Sequence, residues 1–163
     1  MSDMPLNDER WWQICRDLLS DYADTLDTEQ FDQWPDWFDP TGCRYEIRSA
    51  ENEALGLPAA IMYCDTHGMI VDRVTMLKKA LTYRKMYQRH FIANLRIVSC
   101  SQKQASLRAN YQLMQTDNDG VTKLFSVGQY RARVVLVNDQ VKFAEMIVIA
   151  DTFGVDNMLA VPL

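Results

Sequence analysis

Histidine is the scarcest reactive side chain here: His67 and His90 are the only two in 163 residues. An imidazole that donates from one nitrogen to a carboxylate keeps the other free to take a proton, as a general base must. His90 opens a long alternating segment. Tyr22 and Asp24 lie late in an amphipathic stretch before it, and either could face the imidazole to complete a proton-transfer pair. Asp65 is a further candidate acid. The plainer reading has His90 hydrogen-bonding a neighbour structurally, and Arg89 beside it making an interface or internal salt bridge. His67 precedes Gly68 at a helix start, where surface or capping duty is expected.

Metal chemistry finds little to work with. An iron site of two histidines and one carboxylate would consume both imidazoles. Cys15, Cys43, Cys64 and Cys100 are scattered with no C-x-x-C pair, so the spacing matches no common zinc pattern and implies free, mostly buried thiols.

The elements that must position these residues follow from periodicity. Asn7 is placed to cap a helix with Asp8 and Glu9 in its first turn. Trp11, Cys15, Leu18, Tyr22 and Leu26 then recur at spacings of three and four, one apolar stripe. Asp27 with Gln30 resembles a capping box for a short second helix through Trp34, limited by Pro35. Trp34, Trp37 and Phe38 form an aromatic knot, and Asp39-Pro40-Thr41-Gly42 a turn. Cys43, Tyr45 and Ile47 alternate with Arg44, Glu46 and Arg48 as a first strand. A polar loop over 49–58, a second short strand over 59–65 and a third helix over 66–81 follow. Ile70, Val74, Leu77 and Leu81 share that helix's apolar face, with Arg73, Lys78 and Lys79 off it.

Four long strands are predicted over 86–100, 103–116, 121–137 and 140–152. Ala105, Leu107, Ala109 and Tyr111 alternate with Ser106, Arg108 and Asn110, giving one buried face and one wet or cavity-lining face. The turns fall at Ser101-Gln102, Asp117 to Gly120, and Asn138-Asp139. Apolar parity switches across Gly128, which suggests a β-bulge there. The whole of 1–163 reads as a single domain.

Charge is unevenly divided. Residues 1–65 carry 15 Asp and Glu against 4 Arg, a net −11, while 66–163 carry 7 against 13 Lys and Arg, a net +6. Such blocks neutralise each other within a fold or steer a charged partner. A sequence pI near 5.0 argues against nucleic acid. Apolar runs fall far short of the roughly 20 residues of a membrane helix, so no membrane partner is expected. The acidic, polar start is unlike a signal or transit peptide, and a cytoplasmic location is expected.

Helices first and a long curved mixed sheet afterwards describe an α+β, cystatin-like (nuclear transport factor 2-like) cone, three N-terminal helices packed on the sheet. Within that layout the chain resembles the small (β) subunit of Rieske-type aromatic-ring-hydroxylating dioxygenases. The resemblance spans nearly the whole chain. It rests on Arg89-His90-Phe91-Ile92, on Asp72-Arg73-Val74, on the stretch from Phe31 to Phe38 leading into Cys43-Arg44-Tyr45, and on the ending Leu159-Ala160-Val161-Pro162-Leu163. That ending is similar to the branch acting on aromatic acids such as salicylate, anthranilate and terephthalate.

The resemblance implies a non-catalytic structural subunit of an oxygenase in aromatic-compound catabolism. Its large (α) partner would hold a Rieske [2Fe–2S] cluster and a mononuclear Fe(II), and the chain would form a homotrimer within an α3β3 hexamer. Four histidines are needed for those two centres and this chain has two. Arg73, Arg89, His90, Leu159, Val161 and Leu163 are the expected subunit-interface residues. Two other readings compete. One is a stand-alone dehydratase- or isomerase-like cone enzyme using His90 with Asp24 or Tyr22. The other is a binding module whose cavity is lined by Tyr111, Tyr130 and Phe143, with Arg96, Arg108, Arg131 and Arg133 attracting an aromatic acid.

Overall fold

The computed structural model describes residues 7–79, 86–151 and 161–163. Helix α1 spans Asp8–Asp27, and the Asn7 side chain accepts the Arg10 N–H at 2.9 Å, the expected cap. Its stripe of Trp11, Cys15, Leu18, Leu19, Tyr22, Ala23 and Leu26 is buried. Two tryptophans tie it to the sheet, Trp11 Nε1–H donating to Ser101 O at 2.8 Å and Trp12 Nε1–H to Leu95 O at 3.2 Å.

The second helical segment is a 3₁₀ turn, Phe31–Trp37, and the expected capping box is absent from it. Gln30 stands at its N-cap without a capping bond from its side chain, while Asp27 ends α1 and turns its carboxylate elsewhere. Within the stretch expected as loop, Ala50–Ala54 form a short helix α2, capped by Ser49 Oγ accepting the Asn52 N–H. Helix α3 spans His67–Lys79 and buries Ile70, Val74 and Leu77; Leu81, expected on the same face, lies outside the described residues.

The strands are β1 (Arg44–Ser49), β2 (Met62–Cys64), β3 (Tyr87–Cys100), β4 (Gln104–Thr116), β5 (Thr122–Val137) and β6 (Gln140–Ala150). They form one sheet in the order β2-β1-β6-β5-β4-β3. The β1–β6 pair is parallel and the other pairs are antiparallel, so the sheet is mixed as expected. Strands of 14, 13 and 16 residues in β3, β4 and β5 stay paired by coiling, and register shifts at Ala93/Arg96, Ile97/Ser99, Leu113/Met114 and Arg133/Val134 mark where they bend. Asn138 and Asp139 both take positive φ, 49° and 62°, the geometry of a tight turn whose twist matches its strands.

Gly128 does not form the bulge expected of it. It pairs in register with Tyr111 and Ala150, and the extra residue is Phe125, between Ser126 opposite Leu113 and Leu124 opposite Met114. Glycine is required at 128 because β6 comes close: a Cβ there would lie 2.0 Å from Ile149 O.

The inner face of the sheet carries Tyr45, Ile47, Tyr111, Leu113, Tyr130, Val134, Met146 and Val148, all buried against α1, the 3₁₀ turn and α3. Trp34, Phe38, Tyr45 and Phe143 meet edge-on or tilted, with ring centroids 5.1 to 5.9 Å apart. Helix α2 instead lies against the outer face, where its Glu53 reaches Arg131. The architecture is the expected α+β cone.

Candidate functional site

Three constellations stand out: a buried histidine pair, a tyrosine floor inside the cone, and the outer face of the sheet. His90 lies on the inner face of β3, its side chain 0% exposed. Its partner is Asp27. The carboxylate accepts the His90 backbone N–H at 2.9 Å and lies 2.6 Å from Nδ1. Since an ionised carboxylate can only accept, the proton of this bond sits on Nδ1. Nε2 is buried without a hydrogen-bond partner among the described residues.

Neither residue expected to pair with His90 does so. Asp24 points to solvent, for it lies two residues past Tyr22 and off the apolar stripe. The Tyr22 hydroxyl is engaged by Leu163 O at 2.9 Å. Asp27 was missed because it read as a helix cap. The stripe itself pointed to it: Leu19, Ala23, Leu26 and Asp27 follow the i, i+4, i+7, i+8 rule of a buried helix face. Asp65 is exposed. His67 fastens the start of α3 to the 3₁₀ turn, its Nε2 3.1 Å from Pro35 O.

The cone floor is built from tyrosines. Tyr22, Tyr45 and Tyr130 are each 0% exposed, and Tyr111 stacks on Tyr130 with centroids 4.6 Å apart and 11° between the rings. Burial pushes the phenols up, Tyr111 to about 12 and the other three further, so all stay neutral hydroxyls. The Tyr111 and Ser126 hydroxyls bond at 2.9 Å, whereas Tyr130 OH is buried without a partner among the described residues. Tyr111, Tyr130 and Phe143, offered by the cavity reading, face the interior as part of the packed core. The arginines of that reading do not, because Arg96, Arg108, Arg131 and Arg133 lie on the opposite, outer face.

Val161 and Leu163, expected at a subunit boundary, join this chain's own core at 8% and 2% exposure. Two tyrosine hydroxyls and an apolar pocket offer them more than a surface would. Leu159 lies outside the described residues. Arg73 is half-buried on α3, near enough to β2 for its charge to act on the Cys64 thiol. Arg89 is exposed on the outer face and donates from Nη1 to Gln88 O at 3.0 Å.

That outer face is strongly charged. Arg96, Arg108 and Arg131 stand opposite one another across β3, β4 and β5. Like charges in such a row repel. Arg131 is compensated by Glu53 at 2.6 Å. Toward β1, Glu46 is 3% exposed beneath Arg44 and Arg48, and Arg48 also holds Glu53 at 2.6 Å. Burial alone would raise the Glu46 carboxyl, but hydrogen bonds and charge from Arg48 and Arg44 outweigh it and hold the group below its ordinary range. At the other end, Tyr87, Phe91 and Leu124 leave large apolar side chains exposed.

Among the described residues, no group of three or more His, Cys, Asp or Glu is placed to hold a metal ion. No helix there is long and apolar enough to cross a membrane.

A SnoaL-like domain matches residues 13–147, from α1 into β6, so the class of protein is a cone-fold domain of that kind. The likeness continues to the ends. Over 163 residues, 100% of both chains, the sequence is 32% identical to the anthranilate 1,2-dioxygenase small subunit of Burkholderia cepacia. It is 30% identical over 142 residues, 87% of this chain and 92% of the other, to β subunit 1 of the terminal oxygenase component of a Comamonas terephthalate 1,2-dioxygenase. A solved β subunit from Novosphingobium aromaticivorans, assigned to an aromatic-ring-hydroxylating dioxygenase, superposes with a TM-score of 0.86 at 34% identity, covering 95% of this chain and 98% of that one. The chain belongs to the small-subunit family of aromatic-ring-hydroxylating dioxygenases, as the sequence resemblance implied.

Proposed function

We propose that this chain is the structural small subunit of a Rieske non-haem iron oxygenase that hydroxylates an aromatic ring in aromatic-compound catabolism. The observation that carries the reading is the end-to-end likeness to a dioxygenase small subunit, 32% identical with both chains fully covered. A large subunit supplies the Rieske [2Fe–2S] cluster and the mononuclear Fe(II), and the assembly is α3β3 with the small subunits as a trimer. An aromatic acid is the substrate class, since the curated relatives act on anthranilate and terephthalate. The ligand arithmetic agrees: the two iron centres need four histidines and this chain has two, one held by Asp27 and one by Pro35 O.

The interface in this reading is the outer face of the sheet. Exposed Tyr87, Phe91 and Leu124 beside Arg89, Arg96 and Arg108 combine an apolar patch with positive charge, the composition of a docking surface. Arg89 keeps its interface role here. The test is co-expression with the large chain of a Rieske oxygenase from the same source. A hexamer is expected, its turnover falling when the small chain is limiting and returning with excess small chain by mass action. A small chain that stays monomeric at micromolar concentration with the large chain present would overturn the proposal.

A further inference from the structure

Inside the cone, buried tyrosines hold Leu163 by its backbone. Tyr22 OH donates to Leu163 O at 2.9 Å and Tyr45 OH donates to the same oxygen at 3.0 Å. The Leu163 N–H donates to Tyr45 OH at 2.9 Å. Two buried hydroxyl donors converging on one oxygen, over a wall of aromatic rings, is how proteins recognise a carbonyl or carboxylate on an apolar body. The Leu163 side chain fills the remaining space among the core residues. Residues 161–163 belong to no helix or strand, so these three hydrogen bonds and the apolar contacts are what hold Leu163, as they would hold a ligand.

A second observation points the same way. Tyr130 is 0% exposed, belongs to the same cluster, and its hydroxyl has no partner among the described residues. Tyr22, Tyr45 and Tyr130 are near enough to act electrostatically on one another's phenols. A buried hydroxyl left unpaired is costly, and each such group calls for an explanation. Leu163 satisfies two of the three floor tyrosines, and a ligand with a further polar atom would satisfy all three.

We propose that the tyrosine floor formed by Tyr22, Tyr45 and Tyr130 is a receptor site for a small apolar molecule bearing a carboxylate or carbonyl oxygen, and that Val161–Leu163 occupies it as a tethered substitute. Tethering gives the segment an effective concentration near the millimolar range, so a free ligand must exceed that or the segment must be weakened.

The test uses two variants of the full chain, one lacking residues 161–163 and one carrying Leu163→Gly. Each is titrated with N-acetyl-Val-Pro-Leu as the free acid, with its amide, and with benzoate, following thermal melting and tyrosine fluorescence. Saturable stabilisation is expected in both variants, about 5–10 °C at a hundredfold excess over Kd. The unaltered chain should show no shift at the same concentrations. Adding Tyr22→Phe and Tyr45→Phe should weaken binding about tenfold or more. Binding of the acid alone identifies a carboxylate site, and binding of acid and amide alike a carbonyl site. A folded variant that no probe stabilises overturns the proposal, as does equal binding after both Tyr→Phe changes. Should the shortened chain fail to fold, a flat response from Leu163→Gly has the same force. The readout needs no large subunit, so it stands apart from the oxygenase assignment.

Discussion

The carboxylate of Asp27 grips His90 twice, taking its backbone N–H at 2.9 Å and approaching its Nδ1 to 2.6 Å. One side chain thereby closes the end of α1 onto the first long strand. The strand is β3, at the edge of the sheet, with no further strand beside it among the described residues. An acidic residue that accepts an edge-strand N–H also blunts that edge against unwanted pairing.

The first prediction separates structural from catalytic duty for this pair. Asp27→Asn and His90→Ala should each cost about 1–3 kcal/mol of stability, because each leaves a buried group without its partner. Turnover per intact hexamer should stay near that of the unaltered protein. A fall of about 10² to 10⁴ in a fully assembled, iron-replete hexamer would mark His90 as a proton-transfer base acting through its free Nε2.

A second prediction concerns acid. Glu46 and Glu53 are both held below the ordinary 4.5, Glu46 by Arg48 and Arg44 against the opposing effect of burial, Glu53 first by Arg48 and then by Arg131. A carboxylate depressed in the folded state stabilises the fold above its unfolded value, and that contribution is lost as pH falls through the folded value. Stability should therefore hold from neutrality to about pH 5 and decline below 4.5. Glu46→Gln should flatten that decline, and Arg48→Met should cost about 3 kcal/mol at neutral pH by leaving Glu46 short of a partner. Denaturant melts across pH 3 to 7 check both; an unchanged acid limb in Glu46→Gln would show that the cluster contributes nothing.

Much of this molecule is legible in its residues, for reasons that differ element by element. The helix α1 and the strands β3 to β6 show because each has a buried face whose period of 3.6 or 2 survives in the sequence. The partner of His90 does not show, because Asp27 satisfies a local capping pattern as well as a distant histidine, and only the folded chain chooses between them. Gly128 signals an irregularity correctly but not its kind: a glycine tolerates both a bulge and a close neighbour, and here Ile149 O is the cause. The apolar ending reads equally well as interface or core. The hydroxyls of Tyr22 and Tyr45, separated from Leu163 by 141 and 118 positions, bond it within this chain.

The last prediction concerns the outer face. Arg96 and Arg108 stand directly opposite each other, a pairing that repels within the chain. Phe91 pairs across to Gln112 on the same face and is more than half exposed, at 58%. Both features weaken the isolated subunit and gain value once a partner covers them. Arg96→Glu with Arg108→Glu should slow association with the large subunit and reduce its dependence on salt, since steering by charge acts on the approach. Phe91→Ser should instead speed dissociation, because lost apolar contact acts once the surfaces have met. Phe91→Ser should not lower the melting temperature of the small subunit alone, and the double Glu variant, which exchanges one like-charge pair for another, should leave it little changed. Stopped-flow association and size measurement by light scattering distinguish the cases. Assembly unaffected by either change would place the interface on another part of the chain.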